Sequence, residues 1–266
     1  MAQNDAENLT TSIGVRPSPS FPPIVPRMPE IDLISVKAVW FLVSNSGVQI
    51  TQTLHEHFIS KPVFLHQRIA MNYLAHAVLS FENAPVMVGQ FIADDVKGNQ
   101  WMRYDAEIQR GILLHRFIDD FTDHHAAVLL LKSRLYPSLG KFAGVALDVL
   151  FDHCLSLRWE SHFQNERNES IAGIYSTLSS NRVHLSEKRQ YILDKMLEHD
   201  WMNMYAGKQG TADILLQMSK RIPLVNPLHR AWEAFELHET AVISTFDEFF
   251  PELLSAANVK YDTFAP

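Results

Sequence analysis

A single cysteine, Cys154, is the only thiol in 266 residues, so no disulfide can form within the chain and no disulfide framework can stand in for a core. That suits a reducing compartment, and the cytoplasm is the expected location. A basic excess is also missing: the net charge is −7, whereas attraction to a phosphate backbone needs net positive charge or a dense basic patch. No such patch stands out, which argues against a general nucleic-acid binder. Long apolar runs are scarce too. The strongest near the N-terminus, Leu33 to Val43, is interrupted by Lys37 and falls short of the roughly 20 residues a membrane span requires, so no membrane helix is expected. Residues 1–12 carry Asp5 and Glu7 but no Lys or Arg, and so lack the positive start of a secretory signal. The sequence contains no serine-nucleophile elbow, Walker loop or dinucleotide fingerprint, which removes three common chemistries.

What the chain does have is 47% apolar residues, enough for an ordinary packed core. Two textures follow one another. Residues 13–30 hold six prolines, Pro17, Pro19, Pro22, Pro23, Pro26 and Pro29, which remove backbone donors and fix φ. A Pro-rich, largely disordered leader is expected there, and residues 31–70 show neither a period of two nor one of 3.6. From Met71 onward proline is sparse and apolar residues recur at three- and four-residue spacing, the mark of helices with one buried face.

These helices are expected near 72–82, 86–97, 105–123, 126–137, 141–163, 169–180, 186–198, 200–206, 210–221 and 228–250. Asn226-Pro227 reads as an N-cap followed by proline at the first helical position, and Pro251 is expected to end the last long helix. With short connections and no repeat, the expected fold class is all-α, a single helical bundle over 71–266 behind a leader of residues 1–70. Trp201, Trp232, Phe246, Phe249 and Phe250 read as core.

Three stretches place polar residues where a core helix should be apolar. In the 105–123 helix, Ile108, Ile112, His115 and Asp119 follow at +4, +3 and +4 and share one stripe. A carboxylate continuing a core-facing stripe needs a partner, because desolvating it alone is expensive. The partner is either a metal ion or, more blandly, His115 or Arg116 at the helix surface; Asp123, His124 and His125 supply more potential ligands in the next turn. The second stretch is Val145 to Phe151, where Asp148 alone interrupts an all-round apolar helix. Asp152 is stacked one turn on, with His153 beside it. Two carboxylates at that spacing repel, so a divalent cation, or a bridging Arg or protonated His, is expected between them. Facing helices that each offer His and Asp are a recurring way to build a metal site in a bundle. The third stretch is Phe91-Ile-Ala-Asp94-Asp95-Val-Lys97-Gly98, with His76 on the preceding helix; taken alone, a core histidine and a polar helix end are the stronger account of it. Oxygen and imidazole donors without thiolate suit Mn²⁺, Mg²⁺, Fe²⁺ or Zn²⁺.

Taken together, Met71-Asn-Tyr-Leu-Ala-His76, Phe91 to Gly98, Gly111-Ile-Leu-Leu-His115-Arg-Phe-Ile-Asp119, Phe121-Thr-Asp-His124 and Leu147-Asp-Val-Leu-Phe-Asp-His153 resemble the acyl carrier protein phosphodiesterase family, distant relatives of the HD-domain phosphohydrolases. Asp200-Trp201 and Ser219-Lys-Arg221 also fit, so the likeness runs from about 71 to 266 and is specific as a set. The resemblance implies an HD-domain-like fold. It also implies hydrolysis of the phosphodiester that joins 4'-phosphopantetheine to a serine of holo acyl carrier protein, with Mn²⁺ as the expected cofactor.

On the same ground His76 looks like the first HD-type histidine and Asp94 like the aspartate of the HD pair. Ala93 stands where that pair's histidine would be, which leaves His115, Asp119, Asp148 or Asp152 to complete the coordination. Asp95 departs from the family's tendency toward an apolar or aromatic residue. His115 and His153 are candidate acids, and Lys97, Arg116 or Arg158 candidate partners for phosphoryl charge. A likeness that starts at a methionine marks residues 1–70 as an appendage, either a true leader or the product of an upstream start.

Carrier proteins are acidic, and residues 1–70 carry as many Lys and Arg as Asp and Glu, so any basic rim that receives a carrier has to be local. Two rival functions remain: a phosphohydrolase for a small nucleotide or phosphoester, and a catalytically idle helical binding protein. Nothing in the sequence specifies an oligomeric state.

Overall fold

The computed structural model describes residues 72–264. The expected leader over 1–70 lies outside them. Among the described residues there are eleven α-helices and no strand: α1 (Tyr73–Val78), α2 (Ala84–Ile92), α3 (Ala106–His124), α4 (Ala126–Leu139), α5 (Ala143–Leu157), α6 (Trp159–His162), α7 (Arg167–Ser180), α8 (Glu187–His199), α9 (Trp201–Met204), α10 (Lys208–Arg221) and α11 (Ala231–Thr263). The all-α expectation is met, and the expected boundaries fall within a few residues of most of these helices.

The differences are local. The helix expected over 86–97 ends at Ile92 and passes into a 3-10 turn, Ala93–Asp95, and 141–163 is broken at Arg158 into α5 and α6. Pro227, not Asn226, takes the N-cap position, and of a short 3-10 turn only; Asn226 precedes it, its Oδ1 accepting from Leu228 N at 3.2 Å. Pro251 does not end the last helix but lies inside α11, which instead kinks at His238. An interior proline costs a helix about 3 kcal/mol, and here burial on both sides of it offsets that cost: Phe246, Phe249 and Phe250 precede it and Leu253 and Ala257 follow, all in the core.

Local chemistry sets where the site-bearing helices start. The Asn83 side chain accepts from Val86 N at 3.2 Å and Pro85 occupies the first turn, so α2 begins with a filled cap. The same Asn83 donates to Glu107 on α3 and to Tyr261 on α11. α1, only six residues long, has no cap from its own Asn72. Asp152 on α5 replaces it, accepting from Leu74 N at 3.1 Å and Ala75 N at 2.9 Å.

The most extensive helix–helix contact is α2 on α3, and it is made backbone to backbone. A Cβ added to Gly111 would lie 2.1 Å from the Val86 carbonyl oxygen and 2.9 Å from Gly89 Cα, and one added to Gly89 would lie 2.2 Å from the Ile108 carbonyl oxygen. Only glycine fits at both positions. Replacing a helix-interior glycine by alanine normally stabilises by about 1 kcal/mol. At Gly111 the clash is with backbone that cannot rotate away, so Gly111→Ala should instead destabilise, by ~3 kcal/mol. Chemical denaturation would show this as a lower midpoint at unchanged slope, and an unchanged or raised midpoint would mean the helices are not held this close.

Candidate metal centre

The close approach of α2 and α3 puts the end of α2 and the turn after it against the inner stripe of α3. On that stripe Ile108, Ile112 and His115 are buried, and Asp119 continues it with a side chain 15% exposed. His76 enters from α1. Its ring stacks on that of His115 with centroids 4.0 Å apart, and His76 Nε2 lies 3.4 Å from Asp119 Oδ1. His115 Nε2 is 3.4 Å from Asp94 Oδ1 and 3.6 Å from Asp119 Oδ2. One ligand atom from each of His76, His115 and Asp119 falls within a 4.8 Å cluster able to hold a metal ion.

The orientation of His76 is fixed from behind. Its Nδ1–H donates to Gln90 Oε1 at 2.7 Å, Gln90 Nε2 donates to Ser80 Oγ, and that hydroxyl donates back to the His76 carbonyl. A ring that spends Nδ1–H on Gln90 keeps the Nε2 lone pair for the cluster, the usual arrangement behind a metal-bound histidine. Neither His76 Nε2 nor either nitrogen of His115 has a hydrogen-bond partner although all three are buried. Buried polar atoms normally have partners, so two imidazoles converging on carboxylates fit a hard or borderline divalent ion. A cavity of about 20 Å³ lies beside them, lined by His76, Asp94, His115, Met87 and Leu178 among others, room for one water-sized centre.

Electrostatics grade His76, His115 and Asp94. Burial opposes charge on His76, but Asp119, with Gln90 and Asp94, outweighs it and raises the pKa. His115 is lowered, first by burial and then by the charge of His76. Asp94 is also opposed by burial, yet His115 and Arg189 hold it below the usual carboxylate range.

Arg189, unmarked in the sequence reading, is 3% exposed. Its guanidinium lies 3.6 Å from Asp94 and its Nε donates to Asp95 at 2.6 Å, while Lys188 bridges Asp95 from outside at 2.8 Å. Asp95 thus holds the arginine that faces Asp94. A signal was available: Arg189, Leu193 and Met196 are the buried residues of α8, so a cation sits in that helix's apolar stripe as Asp119 does in α3. Gln90 and Ser80 carried no such signal.

The other expected residues go elsewhere. The Lys97 ammonium donates to the Asp94 carbonyl, and Arg116 donates to the carbonyls of Val96 and Gly98 at 2.8 and 3.0 Å, so both brace the turn that carries Asp94. Asp152 spends both oxygens on the start of α1; burial pushes its carboxyl up to about 7 in spite of those donors. His153 donates from Nδ1 to the Tyr205 carbonyl at 2.6 Å and lies edge-on to Trp232 and Phe235, in a different part of the core. Arg158 pairs with Asp247, Asp123 with Lys132, His124 with Asp120 and His125 with Glu252.

Asp148 is not one of the clustered three, but burial, and next the nearby Asp119 carboxylate, push it up to about 8. A carboxyl raised on folding stabilises fully below its unfolded pKa near 3.8 and loses that contribution as pH rises through the folded value. In chelator-treated protein, wild-type stability should therefore fall between about pH 4 and pH 8 relative to Asp148→Asn. Urea titrations at pH 5 and pH 8 check this: a gap that does not widen toward pH 8 would rule out a neutral Asp148.

Fold and cluster together define an all-α protein with a largely buried His/Asp cluster that could hold a metal ion. A family model described as acyl carrier protein phosphodiesterase matches residues 71–253. Proteins named acyl carrier protein phosphodiesterase are similar over nearly their whole length. That of Photorhabdus laumondii subsp. laumondii is 29% identical over 191 residues, 71% of this chain and 96% of its own. That of Enterobacter sp. strain 638 is 28% identical over 198 residues, 71% and 99%, and that of Pectobacterium atrosepticum 29% over 191 residues, 71% and 99%. No solved structure matches. The chain belongs to the acyl carrier protein phosphodiesterase family.

Proposed function

We propose that this chain hydrolyses the phosphodiester between 4'-phosphopantetheine and the serine of holo acyl carrier protein, using a divalent ion, Mn²⁺ by first assignment, held by His76, Asp94, His115 and Asp119. The observation that carries the proposal is the pair of buried imidazoles whose Nε2 atoms converge on two carboxylates at 3.4 Å without a short hydrogen bond, in a chain whose relatives bear that name over nearly their full length.

When bound, the ion would supply a water of lowered pKa and a positive charge for a phosphoryl oxygen. The chain's own residues do the rest. Gln90 keeps the proton of His76 on Nδ1 and so directs Nε2 into the centre. His115, and after it Arg189, keep Asp94 anionic. Lys97, exposed beside Asp94, and Lys188, 67% exposed on Asp95, put positive charge around the turn where an anionic diester, carried by an acidic protein, has to arrive. In the reaction a water oxygen bonds to phosphorus, the bond from phosphorus to the serine oxygen breaks, and the serine oxygen leaves with a proton. The products are apo carrier protein and 4'-phosphopantetheine.

The match along nearly the whole length of the carrier-protein enzymes favours a carrier over a small nucleotide, and buried imidazole nitrogens left without a hydrogen bond are a poor packing solution for an idle binding protein. No helix among the described residues is long and apolar enough to cross a membrane, which is compatible with a cytoplasmic enzyme meeting a cytoplasmic carrier.

Holo carrier protein incubated with the full chain and Mn²⁺ should lose the phosphopantetheine mass in a mass spectrum, and a chelator should abolish the loss. Asp94→Ala and Asp119→Ala should each cut the rate by ~100-fold or more, since even outer partners of a metal cost 10–100-fold. They should also lower the metal retained after dialysis. An unchanged carrier mass with metal bound would move the substrate to a small phosphoester, and no bound metal would overturn the metal-dependent reading.

A further inference from the structure

A second cavity adjoins the metal centre. It is a cleft of about 370 Å³ between α7 and the α1–α2 turn, inside the range of small-molecule sites, whereas the cavity at the centre itself has room for one water-sized probe. Ala77 and Met87 line both spaces and so form the wall between them. α7 runs along both as well, with Leu178 at the centre and Ser170, Gly173, Ile174 and Thr177 in the cleft.

The chemistry of the cleft is specific about charge. It is lined by the apolar rings of Trp159 and Phe163 together with Ile174, and by the uncharged polar groups of Asn165, Ser170 and Thr177. Its two charged residues are carboxylates, Glu82 and Glu169. No lysine or arginine lines it, so it repels phosphate and suits a neutral chain with both methyl and amide groups.

Gly173 supplies an independent observation. A glycine inside an α-helix costs about 1 kcal/mol against alanine, and at Gly89 and Gly111 the cost has a visible cause, since neither admits a Cβ. At Gly173 a Cβ would meet nothing within 4 Å. No packing requires glycine there, and at this exposed position in the cleft's lining its missing side chain leaves the space open.

Resting on the function proposed above, we infer that this cleft receives the pantetheine arm of the substrate. The phosphodiester sits at the His76–His115 centre and the neutral arm lies along α7. The dimethyl carbons of the arm rest against Ile174 and the rings, and its amides face Asn165, Ser170 and Thr177. Met87, unbranched and conformationally adaptable, is the part of the shared wall that yields to join the two spaces.

The test is a titration with pantetheine, which has the arm and no phosphate, alongside steady-state kinetics on holo carrier protein. Gly173→Phe fills the cleft. It should weaken pantetheine binding and raise KM for holo carrier, each by about tenfold or more, with kcat changed much less, the signature of lost binding that does not distinguish ground from transition state. Gly173→Ala should stay near wild type in both assays and melt no lower. Should Gly173→Phe fail to fold, Ser170→Phe, one turn earlier on the same face, fills the same space and should give the same result. Wild-type pantetheine binding and KM that survive whichever variant folds would overturn the inference. A wild-type enzyme that leaves holo carrier intact would instead sink the proposed reaction, with the pantetheine titration still deciding whether the cleft binds the arm.

Discussion

The constraint on which the site depends is the contact between α2 and α3 at Gly89 and Gly111. Helices usually pack with axes 8–10 Å apart, separated by interleaved side chains. Here a Cβ at either glycine would fall inside a backbone oxygen of the other helix, so the spacing is at its lower limit. Three consequences follow. The turn after α2 is held against α3, so Asp94 reaches His115. Gln90, one residue from Gly89 on the same helix, stands behind His76. The inner stripe of α3 then delivers His115 and Asp119 to one point, and a wider spacing would separate the donor sets by the ångströms that decide whether a cation can bridge them.

That geometry concentrates negative charge. Asp94, Asp119 and Asp148 all act on one another or on His76 in the interior, while the buried cation nearby is Arg189, which Asp95 shares. Two imidazoles stacked at 4.0 Å do not both carry charge at low cost, as their opposite shifts indicate. The carboxylates there are only partly neutralised: burial, and next the Asp119 carboxylate, push Asp148 up to about 8. A divalent cation would remove that deficit directly, which is the physical reason to read the cluster as a metal centre rather than as a salt-bridge network.

Much of this was legible in the sequence because the helices are amphipathic and the exceptions stand out. Asp119 was visible as an ionisable residue at the end of an apolar stripe, and the helix that carries it extends within a residue or so of the expected span, Ala106–His124. The same rule misplaced Asp152, since a buried carboxylate needs a partner but the sequence does not say which: the partners are two backbone N–H groups 77 and 78 residues away. His153 failed for the same reason, its partner being the carbonyl of Tyr205. Pro251 misled because local propensity is a small term beside the burial of the phenylalanines around it. Gln90 was invisible, since a neutral amide in an apolar helix raises no electrostatic question until the histidine beside it is seen.

Ala93, next to Asp94, stands where the resemblance to HD-type motifs would put an imidazole. It is a buried methyl, 5% exposed, and offers Asp94 no donor. The imidazole beside the Asp94 carboxylate comes instead from across the helix interface, with His115 Nε2 at 3.4 Å. A partner on the adjacent residue is held by the chain itself, whereas one on another helix is held only as well as the helices are. The residues around the replacement supply that rigidity: Arg189 and Asp95 on one side, Lys97 and Arg116 on the carbonyls of the turn, and the glycine contact beneath. With no donor on residue 93, the demand for precision rests on packing rather than on local backbone geometry, and the bracing around Asp94 is the part of the fold that meets it.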